Sequence, residues 1–154
     1  MKHILIVLVG ILLISCSKDN TSDQAVIDYT VQNEKEIVAY IAEHNLTAQK
    51  SASGLHYVIN EMGMGEQPTT SSNVTVAYKG YFTDRNVFDQ SDAKGISFGL
   101  QQVIKGWTEG ITYFKEGGSG ILLVPSHLGY GSGGTRGIPG GSVIIFDVHL
   151  ISVN

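Results

Sequence analysis

A single cysteine, Cys16, stands in the 154 residues, so no disulfide can form within the chain. Basic residues are also few: Lys and Arg total 10 against 14 Asp and Glu, and they form no run or stripe. A nucleic-acid surface needs such a block, so that class of partner is set aside. The histidines, His3, His44, His56, His127 and His149, are too scattered to build a metal site, and no cysteine or carboxylate cluster supports one. Gly129-Tyr130-Gly131-Ser132-Gly133-Gly134 has the spacing of a dinucleotide fingerprint. The next residues, Thr135-Arg136-Gly137-Ile138-Pro139-Gly140-Gly141, cannot begin the helix that would receive a pyrophosphate. Seven glycines between Gly129 and Gly141 describe a long loop instead.

The one long apolar run, Ile4 to Ile14, is too short to span a membrane comfortably. Lys2 and His3 precede it and Leu13-Ile14-Ser15-Cys16 ends it, the make-up of a secretory signal over residues 1–15. That ending resembles the lipobox of bacterial lipoproteins. The resemblance implies that Cys16 is acylated as the first mature residue, and Ser17 after it implies passage to the outer membrane. The expected location is therefore an exported, membrane-anchored lipoprotein, on the periplasmic or surface face. Loss of Lys2 leaves 9 basic against 14 acidic residues, a net charge of about −5. Residues 16–32 are polar and aperiodic and read as the acylated tether.

Periodicity then changes twice. Ile37, Tyr40, Ile41 and His44 recur at helical spacing, which predicts a helix from Asn33 to His44 within a helix-and-linker segment over 33–53. Asn33 and Glu36 have the spacing of a variant capping box, and Asn45 suits a left-handed helix end. That helix is expected to pack on the domain, with His44 as a packing residue. From Gly54 the period is two. Strands are predicted over Leu55–Ile59, Val74–Tyr78, Ile121–Val124 and Val143–Val153, the third covered on both faces. Trp107, Ile111 and Phe114 recur at i, i+4 and i+7, and Gly106 and Gly110 limit that helix to a turn or two. The fold class is α+β: a twisted antiparallel sheet wrapped around one short helix, over residues 54–154.

Within that domain, Tyr78, Phe88, Trp107, Tyr130 and Phe146 stand mostly among small or apolar residues, with the carboxylate Asp89 directly after Phe88. Such aromatics with few polar groups are the usual lining of a small-ligand or short-peptide pocket. The words around them run in order: Val74-Thr75-Val76-Ala77-Tyr78-Lys79-Gly80, Val87-Phe88-Asp89-Gln90-Ser91, and Val103-Ile104-Lys105-Gly106-Trp107-Thr108-Glu109-Gly110. Val124-Pro125-Ser126-His127-Leu128-Gly129-Tyr130-Gly131, Ile138-Pro139 and Ile145-Phe146-Asp147-Val148-His149-Leu150 come after them. This series closely resembles the FKBP-type peptidyl-prolyl cis-trans isomerases, from about Gly54 to the C-terminus.

The resemblance implies the site. Trp107 would be the floor under a prolyl ring, with Tyr78, Phe88, Val103, Ile104 and Phe146 as walls and Ile96 and Phe98 near another. The Tyr130 hydroxyl and the Ile104 N–H would donate to a substrate carbonyl. Asp89 would stand at the rim and Ile138 on an overhanging loop, and Gly106 would leave room for the ligand. Expected partners are proline-containing peptides, folding exported proteins, and macrolides such as tacrolimus or rapamycin as inhibitors. No cofactor, metal or nucleic acid is implied, and a monomer is expected. Three departures stand out: Lys94 where relatives often carry arginine, a shorter Ser91–Phe98 stretch, and Gly140-Gly141 where a second proline usually stands. The alternative is a module that binds unfolded or proline-bearing chains without turning them over.

Overall fold

The long strand β3 (Asn73–Tyr81) organises the molecule, because it pairs along both edges. The computed structural model describes residues 27–154. The apolar leader, Cys16 and residues 16–26 of the expected tether lie outside the described residues. One edge of β3 pairs with β7 (Ile144–Val153) along its length. The other is shared: β5 (Ile96–Gly99) pairs with Asn73 to Val76, and β4 (Val87–Gln90) pairs with Lys79 to Tyr81. On the far side of β7 come β6 (Ser119–Val124), β2 (His56–Glu61) and the two-residue β1 (Gln49–Lys50). Every pairing is antiparallel. The sheet curves around the short helix α2 (Lys105–Gly110), which runs on into a 3₁₀ turn, Ile111–Tyr113. The expected α+β architecture is the observed one.

Two cores lie on opposite faces of this sheet. The larger gathers Trp107, Ile111 and Phe114 against Leu122, Val124, Ile144, Phe146, Val148 and Leu150. The alternation along β7 sends those even positions to one face, as the period of two requires. Its odd positions are not all polar: Ile145 is fully buried on the other face, beside Leu123, Val58, Tyr81 and Val143. Helix α1 (Thr30–Glu43) covers this second face with Ile37 and Tyr40. Burying a side chain of that size stabilises the fold by about 1.5–3 kcal/mol. The helix therefore packs on the domain. β6 is covered on both faces, which is why it reads as a continuous apolar run.

Two expectations about α1 need correction. It begins at Thr30, so the last residues assigned to the tether are helical. Asn33 is not its cap. It is fully buried, one turn inside the helix, on the face shared by Ile37 and Tyr40. The first turn is served instead by Asp28, whose Oδ1 accepts from the Thr30 N–H at 2.9 Å. The other end behaves as expected: Asn45 takes a left-handed conformation, φ 52°. His44 packs its ring on Tyr40 at 4.1 Å between centroids.

The α1 face also buries His56, the first residue of β2, with Nε2 3.7 Å from Glu34 Oε1. Glu34 in turn meets Lys50 Nζ at 2.8 Å. Burial lowers the His56 pKa, and the Glu34 charge opposes this only in part. The native state therefore holds a neutral imidazole, while the unfolded chain takes up a proton near ~6.5. Where the unfolded state binds more protons, stability rises with pH. Unfolding free energy should fall as pH drops through ~6.5 toward the depressed native value. In denaturant titrations, His56→Gln should flatten that slope relative to the parent.

Candidate functional site

The break between β5 and β4 on the edge of β3 is what positions the first site residues. Chain crossing that gap is pinned at Tyr78: its N–H donates to Ser91 Oγ at 2.9 Å, and its carbonyl accepts from the Ser91 N–H at 3.0 Å. This fixes β4 so that Asp89 Oδ2 accepts from the Tyr78 hydroxyl at 2.6 Å. Burial first, and then the Asp89 carboxylate, raise the Tyr78 pKa far above its ordinary value. The phenol stays protonated and its oxygen stays aimed at the acid. Gly80 serves the same region: a Cβ there would lie 2.8 Å from both Phe88 and Phe146. Without it, those rings stand edge to face, 5.7 Å apart at 89°.

Helix α2 supplies the floor. Trp107 is 5% exposed and sits among Tyr78, Phe146 and Phe98, at centroid distances of 5.1, 5.1 and 5.3 Å. The Tyr78 and Phe146 contacts are near-perpendicular, the arrangement that aligns ring edges with π faces. Together Tyr78, Phe88, Asp89, Val103, Ile104, Trp107, Tyr130 and Phe146 line one open cavity of about 440 Å³. Ile96, Phe98 and Gln102 complete it. The Tyr130 ring is partly exposed, and neither its hydroxyl nor the Ile104 N–H bonds another described residue. Both donors are therefore free for a ligand.

Sequence reasoning placed all but one of its cavity residues together. Ile138 is the exception. The loop turns back on itself through paired Thr135 and Ile138 hydrogen bonds, 2.9 Å each, and this tucks Ile138 into the main core at 7% exposure. It is not part of the cavity wall. Gly106 also differs from expectation. A Cβ there would lie 2.6 Å from Val124 Cγ1, on the sheet side of α2, so the glycine seats the helix rather than making room for a ligand. Gln102 was missed. Nothing in its local pattern marks it, because a 3₁₀ turn, Leu100–Gln102, decides which side chains reach the cavity. Ile96 and Phe98 join the wall, as the resemblance implied.

A sequence model of the FKBP-type peptidyl-prolyl cis-trans isomerases matches residues 64–151. The chain belongs to that family. It is 46% identical over 105 residues to the FKBP-type peptidyl-prolyl cis-trans isomerase FkpA of Escherichia coli, across 67% of this chain and 39% of that protein. It thus spans about two fifths of the length of this curated relative. The crystal structure of Escherichia coli FkpA superposes with a TM-score of 0.73 at 39% identity, over 81% of this chain and 61% of that one. A peptidyl-prolyl cis-trans isomerase from Pseudomonas syringae gives 0.70 at 28% identity, over 81% and 96%.

Against this FKBP-type background the Lys94 departure takes a definite form. Lys94 is exposed, and its backbone N–H donates to Asp92 Oδ1 at 2.9 Å. Among the described residues, no cation lies within ion-pair distance of Asp89. Among the described residues, the Asp89 carboxylate accepts a side-chain hydrogen bond from Tyr78 alone. Among the described residues there is also no cluster of His, Cys, Asp or Glu fit to hold a metal, and no helix long and apolar enough to cross a membrane.

Proposed function

We propose that this chain is a peptidyl-prolyl cis-trans isomerase that accelerates rotation about Xaa-Pro bonds in exported proteins. The carrying observation is the aromatic cavity floored by Trp107 and fringed by two free donors, Tyr130 and the Ile104 N–H. Rotation of a peptide bond breaks amide resonance against a barrier of about 18–20 kcal/mol, and at proline it takes tens to hundreds of seconds unaided. The planar amide is the more polar state, and the twisted one carries less charge on its carbonyl oxygen. No nucleophile or strong base is needed. A dry aromatic floor that holds the prolyl ring, with donors that fix the flanking backbone, favours the twisted state over the planar one. Each ~1.36 kcal/mol of that preference gives about tenfold in rate.

Exchange NMR on an apolar-Xaa-Pro peptide tests this reading without a coupled protease. Interconversion should quicken with added protein, and tacrolimus or rapamycin should suppress it by occupying the same cavity. A peptide that binds while its interconversion rate stays fixed would make the domain a binding module. Asp89→Leu should lower kcat/KM by about tenfold, since Tyr78 then loses the acceptor that aligns it. A change under about twofold would remove Asp89 from the site.

The location is part of the same proposal. Acyl chains on Cys16, each buried methylene contributing ~0.8 kcal/mol, would hold the domain at a membrane. Residues 17–27 would then be the tether, and a monomer suffices because the cavity is built from one chain. Cys16→Ser should move the protein from the membrane to the soluble fraction; continued sedimentation with membranes would end the lipid reading.

A further inference from the structure

Helix α1 lies outside the span of the family match, yet it reaches the loop that carries Tyr130. Asn33 uses both ends of its buried side-chain amide. Its Oδ1 accepts from the Ser126 N–H at 2.8 Å, and its Nδ2 donates to the Gly141 carbonyl at 2.8 Å. The amide cannot be reversed, since that would set donor against donor and acceptor against acceptor. Ser126 and Gly141 bracket the loop, and both bond its interior. The Gly131 N–H donates to the Ser126 carbonyl at 2.7 Å, and the Gly141 N–H donates to the Gly131 carbonyl at 2.9 Å. Asn33, Ser126, Gly131 and Gly141 thus close a ring of hydrogen bonds, and Tyr130 adjoins it.

A second contact secures the same point. Gly141 has φ +77°, and a Cβ on it would lie 2.4 Å from the Tyr29 ring, just ahead of α1. Tyr29 therefore rests where any other residue would carry a side chain. A loop with seven glycines loses much conformational entropy when it is fixed, and no second proline after Pro139 shortens its freedom. A buried amide stripped of its partners costs more than one never placed there. Asn33 occupies a core-facing helix position where an apolar residue would pack without that risk.

We propose that Tyr29 and Asn33 form a clasp through which α1 positions Tyr130 over the cavity. The two are positioning residues, acting through the loop backbone. The kinetic part of this inference rests on the isomerase reading; its structural part does not.

The test uses full-length protein carrying Asn33→Asp, which keeps the acceptor for Ser126 and sets an oxygen against the Gly141 carbonyl. Amide hydrogen exchange at Gly131 and Gly141 should quicken by about tenfold or more, while β6 and β7 keep their protection. Peptide exchange NMR should show KM raised by about tenfold with kcat within about twofold. Variants that merely destabilise the fold lower the active fraction, so a fall in kcat at constant KM would overturn the clasp. Unchanged KM with unchanged protection would overturn it as well. Should Asn33→Asp not fold, Tyr29→Ala leaves the hydrogen-bonded ring intact and reads the same quantities. Quicker exchange at Gly141 with a raised KM supports the clasp, and parental values refute it. If the parent protein turns nothing over, the isomerase reading fails, and amide exchange alone decides the clasp.

Discussion

Trp107→Ala is expected to lower kcat/KM by about a hundredfold or more, a loss of roughly 2.7 kcal/mol of transition-state stabilisation. The indole is the one surface of the cavity touched by Tyr78, Phe98 and Phe146 at once. Removing it deletes the floor and takes one packing partner from each of three rings. The same change should cost about 3–5 kcal/mol of stability, the usual range for truncating a buried tryptophan. Those two losses are separable. Trp107→Phe keeps an aromatic floor and most of the volume, so it should recover much of the stability and an intermediate rate. Thermal unfolding and peptide exchange NMR on both variants give the comparison. Turnover by Trp107→Ala within about tenfold of the parent, measured on folded protein, would show that the prolyl ring does not rest there.

Much of this site was legible because its residues sit in words with regular periods. Val74, Val76 and Tyr78 alternate, as do Ile144, Phe146, Val148 and Leu150, and each run fixes which side chains face α2. Five separate aromatic words then fall on different elements that the sheet brings around one cavity. What stayed hidden was set by non-local geometry. β4 and β5 are four residues each and are not among the predicted strands, because their shared edge on β3 is what makes them strands. Asn33 has the composition of a cap, and nothing near it in sequence signals Ser126 or Gly141, some hundred residues away. The second core was half seen. Ile37 and Tyr40 announce an apolar face, but Ile145 was lost among the polar neighbours Asp147 and His149. Ile138 failed for a related reason: a loop that pairs with itself buries what its sequence context leaves exposed.

Gly106→Val separates two accounts of why glycine precedes the indole. Were the missing side chain space for a ligand, valine would raise KM and leave the fold alone. The geometry gives another outcome. The new Cβ would lie 2.6 and 3.1 Å from the two methyls of Val124, and 3.4 Å from the Leu128 carbonyl. Val124 is fully buried at the end of β6 and has nowhere to turn. Helix α2 must then lift from the sheet, at the ~1–3 kcal/mol typical of forcing extra methyls into a packed core. Trp107 is the next residue, so the floor rises with the helix into the cavity. Gly110 faces the same constraint one turn later, where a Cβ would meet Leu122 at 2.7 Å. The expected result is a Tm several degrees lower, a red shift in the fluorescence of the only tryptophan, and kcat/KM reduced by about tenfold or more. A Gly106→Val protein with the parental Tm and fluorescence, altered in KM alone, would return this glycine to the ligand side of the helix.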